Sequence, residues 1–293
     1  MRYGIEFLRI VAVILIAFTH TRNTLDEGFF YTLFEVLPPY GTAVLSVISG
    51  FLYWDVSRRH KTLFPSKVKS LAIPYLIANS MVIIVVCVVY YFFGLNPLNR
   101  LDFDYTLITE GLLSLNSAPV SPPTYFVRDI FMLFVLIELV KNKNYWMLLI
   151  LIPVVIWGKL FIRLDVVFLF VLGLAYGAYG NSISKINLLI VNLLLIVFVA
   201  VWFSPFLKFP IALLIFVLFV DVDFKFYKTG RYSYLLHLYH SPIIVATFPL
   251  LNKVVTHPVL SVVSQVLVAM LAVYFLFFLS KKISVLKILS GGR

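Results

Sequence analysis

The sequence predicts an all-α, polytopic membrane helix bundle of about ten transmembrane helices, with both termini in the cytoplasm. Three observations predict it. Of 293 residues, 62% are hydrophobic and only 13% are charged, about half the charged share of a soluble globular protein. A soluble domain of that length has no core large enough to hide so much apolar surface. Apolar runs long enough to cross the hydrocarbon recur along the chain, and Lys and Arg are divided unequally between the segments that join them. A disordered chain, a secreted disulfide scaffold and a cytosolic enzyme are excluded. Cys87 is the single cysteine, so no internal disulfide is available. The net charge of +11 reads as basic loops beside membrane lipid rather than as affinity for nucleic acid.

In order, the apolar runs are Gly4–Thr21, Tyr31–Trp54, Leu71–Phe93, Tyr125–Val140, Tyr145–Trp157, Val166–Tyr179, Ile186–Phe203, Phe206–Val220, Tyr232–Leu250 and Val259–Leu279. The sixth and eighth are short for spans. None alternates polar and apolar residues as a barrel strand does. A helix, by contrast, satisfies its own backbone in lipid. The first run carries Glu6 and Arg9 and lacks a small-residue cleavage pattern, so it is not a signal peptide. The longest connection, Gly94–Thr124, holds Pro97, Pro119, Pro122 and Pro123 and is expected to be irregular. With no internal repeat and no appended soluble region, residues 1–293 read as one transmembrane domain.

With the N-terminus placed inside and the runs alternating, sixteen Lys and Arg fall in inner segments and six in outer loops. Arg2, Lys61, Lys67, Lys69, Lys228, Arg231, Lys281 and Arg293 are among the sixteen. This asymmetry supports ten spans with both ends in the cytoplasm.

Ionisable residues inside a span are costly, so they are either paired or functional. Arg9 and His20 are eleven positions apart, almost three helical turns, so they share a face about 16 Å apart along the axis. Arg9 can hold an anionic group arriving from the cytoplasm, or it can simply pair with Glu6. His20 can act as a base near the outer face, or it can be an interfacial residue with a satisfied ring. The basic segment Asp55–Lys69, with Lys67 and Lys69, reads either as an orientation signal or as a phosphate clamp. Arg128 and Asp129, opening the fourth run, either pair locally or face a substrate. His237 and His240 are neighbours on one helix, but a pair without further ligands is a weak metal signal, and no metal is expected.

Five stretches, in order, resemble the acyltransferase 3 family of bacterial integral-membrane acyltransferases. The first run, IEFLRIVAVILIAFTH, is similar to the family's opening pattern at Glu6, Arg9 and His20. ISGFLYW resembles a Ser-Gly-Phe turn at Ser49, Gly50 and Phe51. KVKSLAIPYLIA resembles the basic entry to the third span at Lys67, Lys69, Pro74 and Tyr75. YFVRDIFML resembles a Trp-Phe-Leu-Arg-Asp stretch at Phe126, Arg128 and Asp129, and YSYLLHLYHSPII resembles a late pattern at Ser233, Tyr234, His240 and Pro242. The chain departs from the family at Ser46-Val47, where aromatics are common, and at Ser70, where a basic residue is common. Tyr125 replaces a usual Trp, and His237 a usual Tyr.

The resemblance implies an O-acyltransferase in a bacterial inner membrane. It would move an acyl group, most often acetyl, from acetyl-CoA to a hydroxyl of a surface polysaccharide such as capsule or O-antigen, or of its lipid-linked precursor. It implies His20 and Arg9 as catalytic residues and Arg9, Lys67 and Lys69 as CoA-phosphate contacts. Glu6, Ser49, Arg128, Tyr234 and His240 become candidate substrate contacts. A polytopic transporter of a glycan or anionic solute is the alternative, since ten spans with intramembrane charges also fit that class. A non-catalytic assembly subunit is a third. The sequence sets neither the acceptor nor the oligomeric state.

Overall fold

Helices form where the apolar runs lie, because a backbone out of water must bond to itself. The computed structural model describes residues 3–60, 63–98 and 100–292, with the side chain of 181 left aside. Met1, Arg2, Lys61, Thr62, Asn99 and Arg293 lie outside the described residues, and with them three of the counted basic positions. Among the described residues there is no strand. Ten helices of ten or more residues coincide with the ten runs. They are α1 (Tyr3–Phe18), α2 (Tyr40–Asp55), α3 (Ile73–Phe93), α4 (Tyr125–Asn142), α5 (Leu148–Trp157), α6 (Leu164–Tyr179), α7 (Lys185–Trp202), α8 (Lys208–Phe219), α9 (Gly230–Val254) and α10 (Pro258–Lys282).

Among the described residues, five helical stretches are long and apolar enough to cross a membrane: Phe29–Arg59, Leu63–Phe93, Lys185–Trp202, Gly230–Val254 and Pro258–Lys282. The other helices fall short for identifiable reasons. α1 has only 16 residues, α4 carries Arg128, Asp129, Glu138 and Lys141, and three more are short apolar helices. The outer faces of the bundle are greasy: Phe92 is 80% exposed, Val201 70% and Leu271 68%. Water would make such surfaces a strong association hazard, whereas lipid does not.

One local expectation changes. Ser49, Gly50 and Phe51 do not form a turn, since they lie inside α2. Gly50 serves close packing instead. A Cβ there would strike the backbone carbonyl of Phe170 on α6, and one at Gly173 would strike the carbonyl of Val47 on α2. Reciprocal glycines thus let these two backbones touch, as small residues do between membrane helices. The Gly94–Thr124 connection is irregular over most of its described length, as its prolines predict. It holds a wide helical turn at Leu107–Leu112, and Arg100 donates to Ser117 Oγ at 2.7 Å and to the Pro119 carbonyl at 2.9 Å.

The core joins α2, α6 and α8 through tilted and edge-on aromatic rings. Phe51 and Tyr176 each lie 5.2 Å from Phe216, and each such pair contributes roughly 0.5–1.5 kcal/mol beyond area burial. α1 lies between α2 and α9, with α10 behind α9. Those helices, with α4, surround the site. The end where α1 begins is termed basal below, and the end carrying His20 apical.

Candidate functional site

The site is built on a carboxylate that ties two helix starts together. Glu6 Oε1 accepts from Arg9 Nη1 at 2.8 Å. Its Oε2 accepts from the backbone N–H of Thr229 at 2.8 Å and of Gly230 at 2.9 Å. A carboxylate at a helix N-terminus meets unsatisfied N–H groups and the positive end of the helix dipole. Glu6 therefore holds the start of α1 against the start of α9. Gly230 makes room for this: a Cβ would sit 2.8 Å from Arg9 Nη1. Arg9 thus pairs with Glu6, one of its two sequence readings, and also faces a cavity.

That cavity measures about 810 Å³ and lies between α1, α2, α4, α9 and α10. Arg9, Lys67, Lys228, Arg231 and Lys281 line it, with Glu6 as the only acid on its wall among the described residues. The cations are held in position. Lys67 Nζ sits 4.1 Å from the centre of the Phe134 ring, and Lys281 Nζ sits 4.2 Å from that of Phe277. Arg231 Nη2 donates to the Ser280 carbonyl at 2.8 Å. A basal chamber lined by five cations and one acid has the electrostatics to attract an anion. Its upper walls are apolar, formed by Leu45, Ile48, Val127 and Ile130, and Ser49 and Tyr234 face it.

The cavity ends at His237. The His237 ring packs edge-on against Phe126 at 5.4 Å and lies 6.3 Å from the ring of His240. His240 in turn lies 5.3 Å from His20. Three imidazoles thus run from the cavity roof to the apical rim. Among the described residues no cluster of three or more His, Cys, Asp or Glu is arranged to hold a metal ion.

Local chemistry sets His20. α1 closes at Phe18, and a tight turn follows in which His20 N–H bonds the Ala17 carbonyl at 3.2 Å. The Thr19 hydroxyl donates to Ile16 O at 2.7 Å, and the Thr21 hydroxyl to Phe18 O at 2.9 Å. Beyond it, Arg22 N–H donates to Gln265 Oε1 at 2.9 Å, and Asn23 Oδ1 accepts from Gln265 Nε2 at 2.9 Å. The apical turn is therefore strapped to α10. Arg9 and His20 both face α9, the one at Gly230 and the other at His240. Those α9 positions are ten residues apart, or about 15 Å, which agrees with the spacing expected along α1.

The remaining candidates divide. Glu6, Arg9, Ser49, Lys67 and Tyr234 share the cavity wall with His237, whereas His20 and His240 stand beyond its roof. Ser49 Oγ donates to the Leu45 carbonyl at 2.8 Å. Lys69 is exposed on the far side of its helix, beside Gly292. Arg128 is buried away from the cavity. It pairs with Asp129 at 2.9 Å and donates to the carbonyls of Leu160 and Lys159 at 2.8 and 2.7 Å, while Asp129 accepts from the N–H groups of Ile162 and Arg163. That pair builds the α5–α6 connection. Sequence reasoning missed Lys228, Arg231 and Lys281 as cavity residues, because in a membrane chain each reads as an orientation charge. The one available signal was Arg231, two positions before Ser233-Tyr234.

A family model described as an acyltransferase domain matches residues 2–281, nearly the whole chain. No curated protein and no solved structure matches it. The match takes in the Arg9 stripe on α1, the cavity wall and the late His237–His240 segment together. The chain belongs to the acyltransferase 3 family and is a multi-pass membrane acyltransferase.

Proposed function

We propose that the protein transfers an acetyl group from acetyl-CoA to a hydroxyl of a cell-surface polysaccharide or its lipid-linked precursor. It does so from a bacterial inner membrane that it crosses ten times, with both termini in the cytoplasm. The observation that carries this reading is the cavity, with five cations at its basal mouth and an imidazole at its roof. Phosphate groups suit such a mouth, and the apolar walls above suit a pantetheine arm. Arg9 and Lys67 contact phosphates in this reading, joined by Lys228, Arg231 and Lys281; Lys69 adds charge at the basal surface. Those five cavity cations come from the start of α1, the segment after α2, the start of α9 and the end of α10. All of these are inner segments when the loop charges set orientation.

His20 stands on the acceptor side. Its ring takes the proton of the acceptor hydroxyl as the oxygen attacks the thioester carbon. The carbon–sulfur bond breaks, its electron pair leaves with CoA as thiolate, and a proton returns to the sulfur. Attack by His20 itself, with an acyl-imidazole between, gives the same products. The rings of His237 and His240 separate the cavity from His20. The thioester therefore meets His20 only when the His237 ring on the cavity wall turns aside while His240 keeps its place, a gating step of the kind that commonly limits turnover.

The test is acetyl-CoA thiol release and acetyl incorporation into surface glycan. His20→Ala should lose roughly 10²–10⁴-fold in turnover, the usual yield of general acid–base catalysis. A folded, inserted His20→Ala protein working at the normal rate would overturn the base assignment. Arg9→Ala should weaken CoA binding, and unchanged affinity would remove Arg9 from the donor site. Solute movement with no thiol release would favour the transporter instead.

A further inference from the structure

Resting on the reading in which His20 receives the acceptor's proton, we infer that His240 is a positioning residue whose Nε2 lone pair takes the N–H of His20 and leaves the second nitrogen of His20 open as the base. The tautomer of His240 is set by its own helix. Nδ1 lies 2.7 Å from the Leu236 carbonyl oxygen, which only accepts, so Nδ1 carries the hydrogen and Nε2 the lone pair. His240 is fully buried, and its Nε2 has no hydrogen-bond partner among the described residues. An unpaired acceptor in a low-dielectric site is costly unless something uses it. Of the two imidazoles beside it, His20 is the nearer, with ring centres 5.3 Å apart and planes inclined by 54°. A pivot of the half-buried His20 ring brings an N–H onto that lone pair, while the strapped turn below holds its backbone still.

The titratable and charged groups facing His20 are His240 and His237 from α9 and Arg22 from its own turn. No carboxylate is among them, so no Asp or Glu orients this ring. His240 fills that role with a neutral acceptor. When the hydroxyl oxygen bonds to the thioester carbon, its proton goes to the open nitrogen of His20. The resulting imidazolium keeps its opposite N–H on His240, a charge-assisted bond. The carbon–sulfur pair leaves on CoA, and the proton follows to the thiolate.

The experiment uses the full chain in lipid nanodiscs with acetyl-CoA as probe and water as the acyl acceptor, reading thiol release against pH. Wild type, His20→Ala, His240→Ala, His240→Gln and the double alanine variant are compared at equal folded fraction. His240→Ala should lower kcat ~10–100-fold, the range for losing a partner that orients a working imidazole, with KM for acetyl-CoA unchanged. The acid limb of its profile should move to lower pH, because the imidazolium loses its acceptor. His240→Gln keeps a carbonyl acceptor and should recover part of the rate, which also covers a poorly folding alanine variant. Adding His240→Ala to His20→Ala should cost nothing more, since the two act as a unit. Wild-type kcat and pH profile in His240→Ala, or multiplicative losses in the double variant, would overturn the positioning role. A fully active His20→Ala protein would instead overturn the base assignment beneath it.

Discussion

Gly230 shows how little it takes to aim a guanidinium. Its missing side chain is the space in which Arg9 lies, and a methyl group there would sit 2.8 Å from Arg9 Nη1. The obstacle meets the far end of a flexible side chain, so Gly230→Ala should fold with a thermal midpoint near that of wild type. Arg9 must still move, and losing one charge-assisted contact of about 1.5 kcal/mol weakens binding roughly tenfold. A direct binding titration with acetyl-CoA should show that loss, and unchanged affinity would mean that Arg9 does not touch the donor. At this scale, the alignment of Arg9 and His20 was legible because eleven residues close almost three turns, and the tight turn after Phe18 nearly continues the helix. Lys228, Arg231 and Lys281 were not. Each sits in a segment where a basic residue is expected for orientation, and only folding brings α9, α10 and the stretch before α9 to one mouth.

Among the elements, α2 and α6 are the most closely joined, and their contact rests on Gly50 and Gly173. Each faces a backbone carbonyl of the partner helix, which cannot swing aside as a side chain can. Gly173→Ala should therefore push the helices apart and cost about 1–3 kcal/mol, read as a lowered unfolding temperature in detergent with acetyl-CoA absent. Retained stability would show that the helices are not in backbone contact. The Ser-Gly-Phe stretch was visible as a motif, but its purpose was not, because a glycine serves a turn and a close crossing equally well. The α3–α4 connection makes a second case. Glu110 accepts from the N–H groups of Asn116 and Ser117 at 2.9 and 2.8 Å, and from the Ser117 hydroxyl at 3.0 Å. Burial pushes its carboxyl up, yet these donors outweigh burial and hold it below its ordinary value of 4.5. A depressed carboxylate stabilises the fold above its unfolded value and loses that contribution as pH falls through the folded one. Protease nicking of this connection should rise as pH drops below about 4.5, and Glu110→Gln should remove the pH dependence. A pH-independent wild type would show that Glu110 does not pin the loop.

For the whole molecule, composition alone made the helical membrane class legible, since apolar runs have few other stable forms in lipid. Orientation depends on a weaker, collective quantity. Each cytoplasmic Lys or Arg biases insertion modestly, and the bias is meaningful only when summed over short loops. Under the proposed donor reading the fold bears on the same choice, because five basic residues from distant segments, four of them already in the loop count, converge on one basal cavity. A CoA donor made in the cytoplasm can use that mouth only from the cytoplasmic side. Two single-cysteine proteins in a Cys87→Ser background separate the possibilities. Ser117→Cys lies on the connection assigned outside, and Ser284→Cys follows α10 on the side assigned inside. In intact cells a membrane-impermeant thiol reagent should label the first and spare the second until the membrane is opened. The reverse pattern would put the five cations on the face away from the CoA pool, and the donor reading would fall with the topology.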